Sequence, residues 1–189
     1  MNAGQQRTFE ARLSIDEKPG SKAFQGVWLH TDDGRLLVAY RSSPYWQAFE
    51  GRRVTVTGED YQPRGQAIGA AHFRVEHLRV ADLDFQNATK ADMEMAIIEL
   101  WAERTYRGRF VVEVIPPGSK LSGTSFTWFI SEGGERFLKY DQQRSVPLDK
   151  PVVIRARQVE PTPFIARLGG PYLWIVDIDE SAGPIRRPD

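Results

Sequence analysis

The 189-residue chain contains no cysteine. A disulfide framework, a thiolate metal site and a cysteine nucleophile are therefore excluded. It also lacks an excess of either charge: 25 Lys and Arg residues balance 25 Asp and Glu residues. A chain of that balance is not a strongly basic nucleic-acid coater or an acidic solvating protein. No stretch approaches the roughly 18 apolar residues that a membrane-spanning helix needs. The longest apolar runs, such as Phe110 to Val112 and Leu173 to Val176, have the length of strands. The first residues, Met-Asn-Ala-Gly-Gln-Gln-Arg, lack the apolar stretch of a secretory signal, so the expected location is the cytoplasm. Histidine is scarce, with three in the chain. His72 and His77 stand five apart on an expected strand and so point to opposite faces. No metal site is expected.

Catalytic signatures are missing as well. Gly118-Ser119-Lys120 and Gly123-Thr124 do not follow the phosphate-loop pattern, because Lys does not follow the second Gly and no helix comes after. Ser42-Ser43 has no nucleophile-elbow context. The acidic pairs Asp16-Glu17, Asp32-Asp33 and Glu59-Asp60 sit beside expected turns, where carboxylates serve turn geometry and solvation. The sequence assigns no catalytic residue and no cofactor, and the expectation is a protein that is not an enzyme.

What is present is an internal repeat with a spacing near 100 residues. Pro19-Gly20-Ser21-Lys22 recurs as Pro117-Gly118-Ser119-Lys120. Trp28 recurs as Trp128, Gly34 as Gly134 and Tyr40 as Tyr140. Phe9 aligns with Phe110, Val54-Thr55-Val56 with Val152-Val153-Ile154, and Pro63 and Gly69 with Pro163 and Gly169. The matches are collinear and fall on turn residues and apolar positions. They describe two copies of one domain, at 7–82 and 106–180.

Each copy reads as five strands. Phe9, Ala11 and Leu13 alternate with Thr8, Glu10 and Arg12, the period of a half-buried strand. Val27 to His30 and Leu36 to Tyr40 flank Asp33-Gly34, expected to make a tight hairpin turn with positive φ at both residues. Pro44 to Glu50 has room for one helical turn. Val54 to Thr57 and His72 to Val80 complete the copy. The second copy is expected to follow with strands near 110–115, 127–130, 136–140, 152–156 and 172–178. Three strands, a short helix and two strands is the order of the oligonucleotide/oligosaccharide-binding (OB) barrel. The stretch Phe49-Glu50-Gly51-Arg52-Arg53-Val54-Thr55-Val56-Thr57-Gly58 resembles the fourth-strand entry of many bacterial OB domains.

The expected fold class is thus all-β with one linker helix: two tandem five-stranded OB-like barrels. The boundaries are 1–82 for the first barrel, 83–105 for an amphipathic linker helix, 106–180 for the second barrel and 181–189 for a disordered tail. In the linker, Thr89 is placed to cap a helix with Asp92 three residues on. Met93, Ile97, Leu100 and Trp101 then fall at helical spacing.

In an OB barrel the ligand lies on the second and third strands, framed by loops. The resemblance therefore implies binding residues in the first copy. These are His30, Arg35 and Arg41 on or after those strands, Tyr45 and Trp46 on the short middle segment, and Tyr61 and Arg64 in the loop before the fifth strand. Aromatic rings stack bases and arginines hold phosphates. Yet residues 1–82 carry 11 basic against 10 acidic side chains, and 105–189 carry 12 against 10. A single-strand binder draws its affinity from phosphate neutralisation and shows a basic excess. The expectation is therefore a non-enzymatic binding or interaction protein that engages a protein partner. Single-stranded nucleic acid is the alternative ligand, and an enzyme with a site between the barrels the third and disfavoured reading.

Overall fold

A computed structural model of the protein describes residues 6–17, 25–63, 69–83, 86–87, 96–118, 120–141, 144–163 and 169–181. The chain is nearly all β. Its strands are β1 (Gln6–Glu17), β2 (Gln25–Thr31), β3 (Gly34–Ala39), β4 (Arg53–Tyr61), β5 (Ala71–Val80), β6 (Ile97–Val114), β7 (Ser125–Ser131), β8 (Arg136–Lys139), β9 (Pro151–Pro161) and β10 (Tyr172–Asp179). The one helix among the described residues is α1 (Pro44–Gln47). It falls in the Pro44–Glu50 segment, with Ser43 as N-cap and Pro44 opening the first turn. The strands form one sheet in the order β3-β2-β1-β4-β5-β6-β7-β8-β10-β9. The chain divides into two compact units: Met1–Ala102 with Pro161–Ala166, and Glu103–Glu160 with Arg167–Asp189.

In the first unit β1 runs antiparallel to β2 along its second half and to β4 along its first half. β4 pairs with β5, and β3 meets β5 in parallel through Leu36↔Ala71 and Leu37↔His72. The five pairings close a ring, β1-β2-β3-β5-β4. Alternation supplies its core: in β4, Val54, Val56 and Gly58 are buried while Thr55 and Thr57 are half-buried. Leu13, Leu29, Leu37, Phe49, Val54 and Phe73 are fully buried there. Gly58 sits at a register shift, where an ideal Cβ would lie 2.0 Å from the Arg74 carbonyl oxygen on β5.

In the second unit β6 pairs with β7 and β9, β7 with β8, β8 with β10 in parallel, and β10 with β9. Phe110, Phe129, Phe137, Ile154, Leu173 and Ile175 form its core. The parallel contact is Leu138↔Tyr172, beside Lys139↔Leu173.

Three expectations are corrected. The linker helix does not form over the residues described: Ile97 to Arg104 open the 18-residue strand β6, and His77↔Trp101, Leu78↔Leu100 and Arg79↔Glu99 pair it to β5. Ile97, Ile98 and Trp101 are strand formers, and a paired edge overrides a local 3.6-residue pattern. Thr89, Asp92 and Met93 lie outside the described residues, as does the tail from 182 on. The hairpin turns need one positive φ, not two. Gly34 has φ 135° and Gly134 φ 84°, while Asp33 and Gly133 are not in that region. Each turn is wound so that only its closing Gly takes the left-handed conformation. Finally, Phe110 matches Leu13 rather than Phe9. Ser14 lies opposite Trp28 and Val111 opposite Trp128. The Leu13 carbonyl accepts from the Gly51 N–H, and the Phe110 carbonyl from the Asp149 N–H, each at 2.9 Å.

Candidate functional site

The candidate face is carried by β1, β2 and β3. Cross-strand register sets its rows: Arg12, His30 and Arg35 lie side by side, then Ser14 and Trp28. Strand alternation puts Arg12, Ser14 and Asp16 on one side of β1 and Ala11 and Leu13 in the core.

His30 is exposed, and its Nε2 lies 2.8 Å from the Ser14 hydroxyl. Arg35 is exposed as well. Its guanidinium carbon stands 4.1 Å from the centre of the Trp28 ring, and it reaches the Asp16 carboxylate at 3.3 Å. Trp28 beneath it is buried. Arg12 donates to the Gly51 carbonyl at 2.9 Å. Both arginines thus have partners within the chain. A phosphate would compete with Asp16 for Arg35, and an exposed ion pair of this kind is worth about 0–1 kcal/mol.

The remaining candidates go elsewhere. Tyr45 and Trp46 are buried, at 7% and 2% exposure, so α1 turns both rings into the core. This overturns their assignment as stacking residues: a ring that stacks a ligand needs an open face. Four residues of helix between Pro44 and Phe49 cannot keep two adjacent aromatics in solvent when the ring of strands offers them an apolar interior. Tyr61 is half-buried in a separate cluster. It lies opposite His72, with ring centroids 5.6 Å apart, and Arg74 sits 5.1 Å from its ring centre while paired to Glu59 at 2.6 Å. His72 is itself buried, and its Nε2 is 2.7 Å from the Tyr40 hydroxyl. Arg41 is exposed on the bend after β3. Arg64 lies outside the described residues. The structure therefore brings His30 and Arg35 together and separates both from Tyr45, Trp46 and Tyr61.

The second unit carries a parallel arrangement. Arg109, Ile130 and Arg136 form one row, then Val111 and Trp128. Arg136 stands 4.7 Å from the Trp128 ring centre and pairs with Glu113 at 2.6 Å. The acid, arginine and tryptophan recur. The Ser14–His30 pair does not, since Val111 and Ile130 fill those places. Arg12, Ser14 and Asp16 escaped the sequence reading, although their alternation along β1 was the signal that placed them beside His30.

Arginines on other exposed positions are also paired: Arg7 with Asp60 at 2.8 Å, Arg53 with Glu10, and Arg155 with both Glu103 and Asp177. Hydrogen bonding to Asp177 and the nearby Glu103 charge raise the Arg155 pKa further. Lys139 is the one buried lysine among the described residues, and its Nζ donates to the carbonyls of Asp141 and Arg144. Burial pulls its pKa below the usual lysine range; the Asp141 charge opposes this and Arg144 adds to it. Tyr140, stacked on Trp174 at 5.3 Å, is pushed up by burial and by Asp141. Among the described residues no group of three or more His, Asp or Glu is placed to hold a metal ion. Among the described residues no helix is long and apolar enough to cross a membrane. Comparison with protein-family models, curated proteins and solved structures finds no match to this chain.

Proposed function

We propose that the chain is a non-enzymatic binding protein made of two tandem OB-like barrels that arose by internal duplication, and that it engages a protein partner. The same reading includes a cytoplasmic location. The duplication rests on three parallels between the units. The order of strand pairings is the same. A carboxylate-paired arginine caps a tryptophan in each. The chain also turns through positive φ at Gly51 and at Asp149, next to the Leu13 and Phe110 carbonyls.

The choice of a protein partner rests on one observation above all: the arginine that caps the tryptophan of each candidate face is already paired with a carboxylate. Arg35 and Arg136 each hold an acid, as do Arg7, Arg53, Arg74 and Arg155 on other exposed positions. Counterion release needs cations that are free to meet phosphates. Rings that would stack bases, Tyr45 and Trp46, are in the core.

The test is a fluorescence-anisotropy titration of labelled single-stranded DNA and RNA at low and at moderate salt. The expected result is no saturable binding at the lower salt. Binding that falls steeply with salt, and is lost in a folded Arg35→Ala variant, would refute the proposal and establish the nucleic-acid alternative.

A further inference from the structure

Three large apolar side chains are exposed among the described residues, and all three belong to the second unit: Val112 at 47%, Val114 at 61% and Leu148 at 44%. Val112 and Val114 follow Phe110 on the same side of β6, and a single parallel bridge joins Phe110 to Leu148.

The backbone there is directional. The Ile115 N–H donates to Thr124 on the β7 side of the strand, whereas the Phe110 carbonyl accepts from Asp149 on the other side. Successive residues of an antiparallel strand alternate in which neighbour their polar groups address. Val111 and Glu113 therefore bond toward β7, and Val112 and Val114 present N–H and C=O to the opposite edge. The Asp149 contact stands at the start of β9, which begins at Pro151, so that edge runs past the first residue of β9.

The first unit handles the equivalent edge differently. Matching Gly51 to Asp149 puts Glu50, which is exposed, where Leu148 is. Charged residues on a strand edge guard it against pairing. The second unit has an exposed leucine in that place.

We infer that the outer edge of β6 at Val112–Val114 takes an extended segment of a protein partner as an added strand. This deepens the proposed function and rests on it. Outward N–H and C=O groups at alternate residues match those of another extended backbone, and Val112 and Val114 offer apolar contact to side chains at alternate positions of that segment. Three side chains are far from the ~800 Å² per partner that a stable dimer buries, so the occupant is a peptide rather than a second copy of the chain.

The experiment uses the full chain and the probe peptide Lys-Thr-Val-Thr-Val-Thr-Lys with a fluorescent label. Anisotropy reads binding, and amide hydrogen exchange reads the edge. The expected result is saturable binding, with the Val112 and Val114 amides slowed about tenfold or more. Val114→Lys puts a charge on the edge, and Val114→Pro removes one outward N–H at a position where an edge strand tolerates proline. Both should abolish binding and leave the fold intact. The inference is overturned if the two amides are unchanged at saturating peptide, or if Val114→Lys binds as tightly as the wild type. A concentration-dependent dimer that Val114→Lys abolishes overturns it too, because it makes a second copy the occupant. If a protein partner binds Val114→Lys and the wild type equally, this edge is refuted while the proposed function stands. Salt-sensitive nucleic-acid binding refutes the function itself.

Discussion

Replacing Gly58 by alanine tests how closely β4 and β5 are held. An ideal Cβ at this position lies 2.0 Å from the Arg74 carbonyl oxygen and 2.7 Å from Cε1 of Phe73. The oxygen belongs to the backbone of the paired strand, so it cannot swing away as a flexible side-chain end would. Phe73 is fully buried and has no free space to turn into. The methyl group therefore has to push β4 from β5 by more than an ångström. Overpacking of this kind costs about 1–3 kcal/mol. A ladder hydrogen bond weakened by the separation adds about 1 kcal/mol. A total near 3 kcal/mol lowers Tm by roughly 6–12 °C for a chain of this size. Gly51→Ala is the control. Nothing lies within 4 Å of its Cβ, and its φ of 73° leaves only the left-handed backbone penalty, about 1 kcal/mol. Urea titration with tryptophan fluorescence and a thermal scan read both variants. If Gly58→Ala is no less stable than Gly51→Ala, the close approach of the two strands is wrong.

Other consequences can be measured alongside. Asp149 is the one non-glycine residue with positive φ among those described; Asp149→Gly should stabilise the chain by about 0.5–1 kcal/mol, and a loss of stability would mean that the aspartate side chain holds the turn. Trp46→Ala should destabilise by about 3–5 kcal/mol, as expected for an emptied core site, and a change within about 0.5 kcal/mol would return the ring to the surface. Lys139 has a folded pKa below its unfolded one, so the unfolded chain holds the extra proton between the two values. Stability then rises with pH across the window just below the ordinary lysine pKa, and the burial penalty is fully present beneath it. Lys139→Gln keeps a donor for the Asp141 and Arg144 carbonyls and removes the charge, so the wild type should gain stability relative to it between neutral and alkaline pH. Parallel pH curves for the two proteins would refute the burial of that charge.

Strand placement was legible in the sequence because it depends on local alternation. Val54 and Val56, Val152 and Ile154, and the glycines that close the hairpins announce themselves without tertiary information. The helical turn at Pro44 was legible for the same reason. The residues after Ala96 were not, because Ile97, Leu100 and Trp101 satisfy a helical period as well as they satisfy pairing to β5, and only the partner strand decides between the two. Of the candidate binding residues, His30 and Arg35 stand opposite each other, because hairpin register follows from the turn between them. The burial of Tyr45 and Trp46 was not legible, because whether an aromatic on a short helix faces in or out depends on what encloses it.

The composition by itself determined that the chain has no thiol chemistry and no net charge to drive nucleic-acid association. The β pattern followed from the spacing of apolar residues. Tertiary structure alone decided which charges were already spent on one another. Arg35 and Asp16 are 19 positions apart, and Arg136 and Glu113 are 23 apart. They meet only because antiparallel strands fold back on themselves. Which neighbour Val112 and Val114 address was likewise invisible beforehand, since it depends on the strands paired to β6.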